Sequence, residues 1–250
     1  MLCLVTGGAG FLGGHLVRLL RAAGHRVRVL DPAAADEADR GSVTDPVAVG
    51  HAMSGADVVF HMAAIAHLWS PDAREFRRVN VEGTRVVLQA ARRARPRRVV
   101  VTSTALILAR SEAAPVDETH PTPPLAEMIG AYARSKWLAD QACAAAEDVP
   151  LVRLYPTVPI GPGDVSMTPP TRMIADFLAG GLPAYLDCVL DVVPVEVVAL
   201  AHLRAAERAM PGDRYILAGE AIRMSRLLAL LSEISGRPPP RFAVPAPVAL

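Results

Sequence analysis

Apolar positions along the chain alternate between a strand rhythm and a helix rhythm. Leu2-Cys3-Leu4-Val5-Thr6 is a short strand-like run that ends on Gly7-Gly8-Ala9-Gly10. From there Phe11, Leu12, Leu16, Leu19 and Leu20 recur at helical spacing as far as Arg21, and Gly24 closes the segment. Val27-Arg28-Val29-Leu30 is a second strand, stopped by Asp31-Pro32. The same alternation predicts a strand over 57–61, a long helix over 72–93, a strand over 97–102, a Pro-rich loop over 115–124, a helix over 131–147 and a strand over 150–155. Strands separated by helices of this length return in parallel, so the pattern predicts a parallel sheet covered by helices on both faces.

After Tyr155 the texture changes. Prolines stand at 156, 159, 162, 169 and 170, and the elements shorten to a helix near 171–179, a strand near 213–218 and a helix near 224–235. This predicts a division into a domain over 1–155 and a smaller lobe over 156–250, built on the carboxyl edge of the sheet. The stretch from Asp31 to Thr44 is too short for a full crossover, so a third strand is abbreviated or missing.

Composition narrows the function classes. The 250 residues suit one domain, or one domain with a small lobe. Basic and acidic side chains number 26 and 25, a net charge of +1, which provides no field for nucleic acid or anionic membrane. A hydrophobic fraction of 52% with 20% charged residues excludes a disordered chain. Cys3, Cys143 and Cys188 make no CxxC and no disulfide framework, which points to a reducing cytoplasm. No apolar stretch reaches the length of a membrane span, and the amino terminus lacks the basic start of a secretory leader. The histidines lack metal spacing, so no metal is expected. The basic residues are 25 arginines and one lysine, Lys136, and the only asparagine is Asn80. Both survive in a composition dominated by Ala, Arg, Gly and Pro.

Thr6-Gly7-Gly8-Ala9-Gly10-Phe11-Leu12-Gly13 places glycines at 7, 10 and 13 between a strand and a helix. That spacing allows a tight turn, a close backbone approach to a pyrophosphate and tight packing of helix on sheet, with the helix amino terminus facing the phosphates. Asp31 follows Gly7 by 24 residues at the end of the second strand. Its carboxylate accepts from ribose hydroxyls and repels a 2′-phosphate, which favours NAD over NADP. The fold class is thus α/β, a Rossmann-type doubly wound parallel sheet with a small C-terminal substrate lobe.

Tyr132-Ala133-Arg134-Ser135-Lys136 sets a phenol and the sole ammonium four apart, on one face of a helix. A nearby ammonium favours the phenolate and lowers the tyrosine pKa, which suits a general acid or base. The lysine also has donors for ribose hydroxyls.

With these motifs the chain resembles the extended short-chain dehydrogenase/reductases. The likeness continues through Asp57–Ala64, Asn80-Val81-Glu82-Gly83-Thr84 and Val101–Ala105. His67-Leu68-Trp69, Met128–Tyr132, Pro156–Pro162, Met167–Arg172 and Arg214–Leu217 are similar to the hopanoid-associated sugar epimerase and dihydroflavonol reductase group. The resemblance implies that Thr104, Tyr132, Lys136 and Asn80 carry the chemistry. It implies cofactor contacts at Gly7, Gly10, Phe11, Leu12, Gly13, Asp31, Ala63, Ala64, Ser103, Tyr132, Lys136, Tyr155, Pro156, Thr157 and Val158.

The chain departs from the group in three places: Ser42 replaces an acid after Gly41, Pro194-Val195-Glu196-Val197 replaces a His-Val-Asp-Asp run, and the sequence stops on Pro247-Val248-Ala249-Leu250, an apparently shortened end. The resemblance implies an NAD-dependent epimerase or dehydratase-like enzyme that acts on a sugar or polyol by transient hydride transfer. The alternatives are a ketone reductase of dihydroflavonol type and a nucleotide-binding relative without catalysis. The expected partner is a small molecule, with no nucleic acid and no membrane span; a homodimer is left open. The arginines at 92, 93, 95, 97 and 98 read as a solvated helix end, Cys143 as a small core residue, and His61 and His67 as polar or core residues beside the pocket. Trp69 reads either as a pocket wall or as a core anchor.

Overall fold

The computed structural model of the protein describes residues 1–109, 115–240 and 242–244; the expected apolar close at 247–250 lies outside the described residues. Six parallel strands form the central sheet: β1 (Leu2–Thr6), β2 (Arg26–Leu30), β3 (Val58–His61), β4 (Arg98–Thr102), β5 (Leu151–Pro156) and β9 (Arg214–Leu217). Across the sheet they stand in the order β2-β1-β3-β4-β5-β9. The helices are α1 (Phe11–Ala22), α2 (Pro46–Met53), α3 (Arg74–Phe76), α4 (Thr84–Ala94), α5 (Gly130–Ala144), α6 (Pro169–Leu178), α7 (Val195–Arg208) and α8 (Met224–Ser235).

Alternate residues of the central strands feed two separate cores. Leu4, Val59, Val99 and Val101 pack with Val49, Met53, Val87, Leu88 and Cys143 on one face. Val5, Phe60 and Val100 pack with Leu16, Leu20, Ala199 and Leu203 on the other. A strand buried on both faces has no place for a polar alternation, which is why β3 and β4 are apolar almost throughout.

Beyond residue 156 the chain returns to these layers: β9 lies along β5, and α7 covers the same face as α1. Smaller sheets complete the fold. β6 (Val158–Ile160), β8 (Val189–Pro194) and β10 (Glu220–Arg223) form one, and β7 (Ala184–Leu186) pairs with β11 (Phe242–Val244). Between β2 and α2 the chain makes only a 3₁₀ turn over Glu37–Asp39, so β2 is the edge of the sheet and no strand forms in that stretch. In that stretch Ser42 Oγ pairs with Thr44 Oγ1 at 2.8 Å, and Asp45 Oδ1 caps α2 by accepting from Val47 N at 2.8 Å.

The helix expected over 72–93 is interrupted. Between α3 and α4 the turns over Arg77–Gly83 widen to π spacing, and Asn80 sits in the middle of them. A widened turn shifts every following side chain around the helix axis, and such turns concentrate at functional sites.

Candidate active site

The chain leaves β1 towards β2 and later returns to β1's other side with β3, so the carboxyl ends of β1 and β3 flank a crevice. The glycine loop fills its floor. Gly7 adopts φ +72°, and a Cβ there would lie 2.7 Å from Ala63 N in the turn after β3. A Cβ at Gly13 would lie 2.1 Å from the Gly7 carbonyl oxygen. Gly10 precedes α1 in extended conformation, and no side chain caps that helix, so its first N–H groups remain available to an anion.

Asp31 closes the far side of the crevice. Its Oδ2 accepts from Ala9 N at 3.1 Å and its Oδ1 from Ala33 N at 2.8 Å, which fixes the carboxylate against the glycine loop. Each oxygen keeps a lone pair for a ribose hydroxyl. Phe11 is buried at the start of α1, and its ring meets His15 edge-on with centroids 5.7 Å apart; Leu12 is half-buried. Ala63 and Ala64 lie half-buried in the turn after β3, and Ala63 N donates to Thr6 Oγ1 at 3.2 Å.

The second half of the site gathers at the ends of β4 and β5. Ser103 and Thr104 follow β4 directly and are buried. Ser103 Oγ is buried without a hydrogen-bond partner in the chain, a costly arrangement unless another molecule supplies one. Tyr132 and Lys136 stand on the first turns of α5. The Tyr132 ring packs edge-on against Phe76 with centroids 6.4 Å apart, and the Thr104 side chain lies close enough to its hydroxyl to lower its pKa.

Burial raises the Tyr132 pKa above the ordinary phenol value, and the nearby Thr104 side chain offsets only part of that rise. The sequence pattern predicts a lowered value; the structure differs because burial of the phenol outweighs what lowers it. Lys136 Nζ donates to the Thr102 carbonyl at 2.7 Å. Burial lowers its own pKa to about 8, against the opposing pull of Cys143 and Asp140. The tyrosine is therefore held as a neutral proton donor at neutral pH.

Asn80 touches protein on every side. Its Oδ1 accepts from Ile65 N at 2.8 Å, and its Nδ2 donates to Ile65 O at 3.1 Å and to Ser135 Oγ at 2.9 Å. Ser135 passes the bond on to the Tyr132 carbonyl at 2.7 Å. Asn80 thus ties the turn after β3 to the helix of Tyr132.

Tyr155 is set apart from the other expected cofactor contacts. Its side chain is fully enclosed in a third core, its hydroxyl donates to Asp140 Oδ1 at 2.8 Å, and Arg214 lies over its ring at 5.2 Å. Its side chain is part of the support beneath α5, where Arg153 also meets Asp140 at 3.1 Å. Pro156 ends β5 and Val158 begins β6, with Thr157 between them tied through its N–H to Leu217 O at 3.1 Å. Trp69 is 77% exposed on the loop after β3, which excludes the core-anchor role. Thr6, Thr84 and Ser135 are polar positions of the site that the sequence pattern leaves unassigned, and His61 is one it reads only as a polar or core residue beside the pocket. The one available signal was a histidine ending the apolar run Val58-Val59-Phe60. No group of His, Cys, Asp and Glu that could hold a metal occurs among the described residues, and no helix there is long and apolar enough to cross a membrane.

This combination of a glycine loop between strand and helix, an acid at the end of the second strand and a Tyr/Lys helix is that of a dinucleotide-dependent enzyme of the short-chain dehydrogenase/reductase type. Residues 3–218 match the model of the NAD dependent epimerase/dehydratase family, and the chain belongs to that family. The chain is 38% identical over 256 residues to a dihydroflavonol 4-reductase-like protein of Synechocystis sp., covering 96% of this chain and 74% of that one. It is 34% identical over 263 residues to a 2-alkyl-3-oxoalkanoate reductase of Stenotrophomonas maltophilia, covering 95% and 77%. Among solved structures it is similar to the UDP-glucose 4-epimerase of Thermus thermophilus in complex with NAD, with a TM-score of 0.82 and 27% identity, covering 98% and 86%.

Proposed function

We propose that the protein is an NAD-linked reductase that converts a small-molecule ketone to an alcohol, with Tyr132 as the proton donor. The observation that supports it most directly is the Tyr132 phenol, kept protonated by burial, with the Thr104 side chain beside it at the carboxyl edge of the sheet. The Synechocystis and Stenotrophomonas relatives named above point the same way.

The crevice suits the cofactor on its own geometry. Gly7 and Gly13 leave room that a Cβ would take, the amino terminus of α1 faces the same loop, and Ser103 Oγ lacks a partner. Gly7, Gly10, Phe11, Leu12 and Gly13 would hold the pyrophosphate, Asp31 the adenosine ribose, Ala63 and Ala64 the wall beside it, and Pro156, Thr157 and Val158 the nicotinamide end. NAD, when bound, supplies the hydride donor or acceptor.

The chain's own residues manage the oxygen. Thr104 and Tyr132 present two hydroxyls to a carbonyl oxygen, and negative charge that develops there draws the phenolic proton across. Lys136, one helical turn behind on α5 and anchored on Thr102 O, keeps two N–H donors for a ribose and a positive charge beside the phenolate that remains. Asp31 disfavours a 2′-phosphate, so NAD is preferred to NADP.

A second reading, epimerisation of a sugar or polyol with no net change of cofactor, is favoured by the family and by the likeness to the Thermus epimerase. A panel of ketones and nucleotide sugars incubated with deuterium-labelled NADH separates the two. The reductase reading expects stoichiometric loss of NADH and deuterium in the product alcohol. Isomerised sugar with NADH unchanged would overturn it.

A further inference from the structure

We infer that His61 is a positioning residue that couples the cofactor loop to the catalytic helix through one continuous line of buried hydrogen bonds. The line starts beneath the glycine loop. Thr6 Oγ1 accepts from Met62 N and Ala63 N, each at 3.2 Å, and lies 2.9 Å from His61 Nδ1. On the other side of the ring, His61 Nε2 lies 2.9 Å from Thr84 Oγ1. Thr84 Oγ1 donates in turn to the Asn80 carbonyl at 2.7 Å, where the helix passes from π to α spacing. The Asn80 amide then reaches Ser135, and Ser135 the Tyr132 carbonyl.

The donors and acceptors along this line fix its direction. Thr84 has one hydroxyl hydrogen and gives it to Asn80 O, so towards His61 it acts only as an acceptor. His61 must therefore carry its proton on Nε2 and accept at Nδ1 from the Thr6 hydroxyl. Each side chain from Thr6 to Thr84 has a defined donor and a defined acceptor, and only a neutral imidazole completes the set. Burial and the nearby Lys136 charge keep the ring neutral, with a pKa lowered to about 3. Thr6, His61, Asn80 and Thr84 are all at most 3% exposed, so water cannot replace a missing partner cheaply.

The consequence concerns both halves of the site. Thr6 sets the turn that carries Met62 and Ala63 past Gly7, where a single Cβ would not fit. Thr84 sets the widened turn that carries Asn80, and through it the first turn of α5. A rigid ring with two nitrogens on opposite edges keeps these two settings at one distance. This role depends on cofactor binding at the glycine loop and is independent of which substrate the enzyme reduces.

The two arms separate by substitution. His61→Asn places an amide oxygen near the Nδ1 position and keeps the Thr6 arm; His61→Gln places an amide nitrogen near the Nε2 position and keeps the Thr84 arm. Dissociation constants for NADH from energy transfer, backbone hydrogen exchange at 62–65 and 130–136, and kcat on any ketone found above form the readout. His61→Gln is expected to weaken NADH binding by roughly 3- to 10-fold, the scale of one net hydrogen bond, and to speed exchange at 62–65 alone. His61→Asn is expected to spare NADH affinity, speed exchange at 130–136 and lower kcat by a similar factor. Thr84→Val, which removes the same arm without touching the strand, should reproduce His61→Asn. Thr84→Ser should restore the wild-type pattern.

Equal effects of both histidine variants on both readouts, or none on either, would overturn the coupling and leave His61 as packing. Where the histidine variants fail to fold, the wild-type protein still decides. Nitrogen chemical shifts of His61 must show a neutral ring protonated at Nε2; protonation at Nδ1 contradicts the line. Lack of turnover on every ketone would defeat the reductase reading, yet leave the affinity and exchange results to judge this one.

Discussion

Asn80 Nδ2 lies 2.9 Å from Ser135 Oγ, which joins the widened turn after α3 to the helix that carries Tyr132 and Lys136. The two residues are far apart in sequence, and neither needs to touch a substrate to matter. Replacing Asn80 with Asp keeps the acceptor for Ile65 N but removes both donors. Asn80→Asp is expected to lower kcat by about 10-fold with NADH affinity within about twofold of wild type, as steady-state kinetics and cofactor titration would show. A change confined to NADH affinity would place Asn80 on the cofactor side instead.

The role proposed for Asp31 is the choice of dinucleotide. The wild-type protein should bind NADH more tightly than NADPH, and Asp31→Ser should erode that preference by roughly 10-fold or more by removing a like-charge repulsion. Titration of both cofactors by protein-to-nicotinamide energy transfer measures this. A wild-type preference for NADPH would contradict the role given to Asp31 and turn attention to Arg40, whose Nε now donates to Ala34 O at 2.9 Å beside it.

Lys136 gives the site an alkaline limit. Burial lowers its pKa to about 8, so the ammonium proposed to meet the ribose is lost as pH rises through that value. NADH affinity should hold from pH 6 to 7.5 and weaken steadily above about 8. In Lys136→Arg the guanidinium keeps its charge, and the alkaline fall should disappear even if affinity at pH 7 is lower. A wild-type profile flat to pH 10 would show that the charge is not used.

Two buried histidines make the fold sensitive to acid. His61 and His202 are neutral in the folded protein, with pKa values lowered by burial to about 3 and about 4. His202 is held by Thr102 Oγ1 and Val198 O, each at 2.8 Å. In the unfolded chain both take up a proton near pH 6.5. Their contribution is therefore complete above pH 6.5 and is lost as pH falls from there towards their folded values. Each histidine should remove up to about 1.4 kcal/mol of stability per pH unit in that window. Urea unfolding at pH 7, 6 and 5 measures the slope, and His202→Gln should reduce it; an unchanged slope would contradict the assignment.

The parts of the site that could be read in the sequence are those whose residues sit close together along the chain. Gly7, Gly10 and Gly13 lie within one turn, and Tyr132 and Lys136 within one helical turn, so spacing alone carries their geometry. The alternation of strands and helices gave the parallel sheet for the same reason. Contacts between distant segments leave no such trace. Thr6, His61 and Thr84 meet only because β1 and β3 are neighbours and α4 packs across them. The return of β9 to the sheet depends on pairing with β5 some sixty residues earlier, which no local pattern records. The π turn is hidden because apolar residues continue at nearly helical spacing through it. Tyr155 shows the opposite problem: a tyrosine at a strand end reads alike on either face, and Asp140 on the buried side of α5 decides which face it takes.

The central claim is that the Tyr132 phenol supplies the proton in a hydride-transfer reaction, and Tyr132→Phe tests it most directly. The substitution keeps the ring packed against Phe76 and removes only the hydroxyl beside Thr104. Single-turnover oxidation of enzyme-bound NADH by a ketone the wild-type enzyme reduces should slow by about 100-fold or more, while NADH affinity stays within about twofold. A Tyr132→Phe protein that reduces the same ketone at close to the wild-type rate would contradict the account.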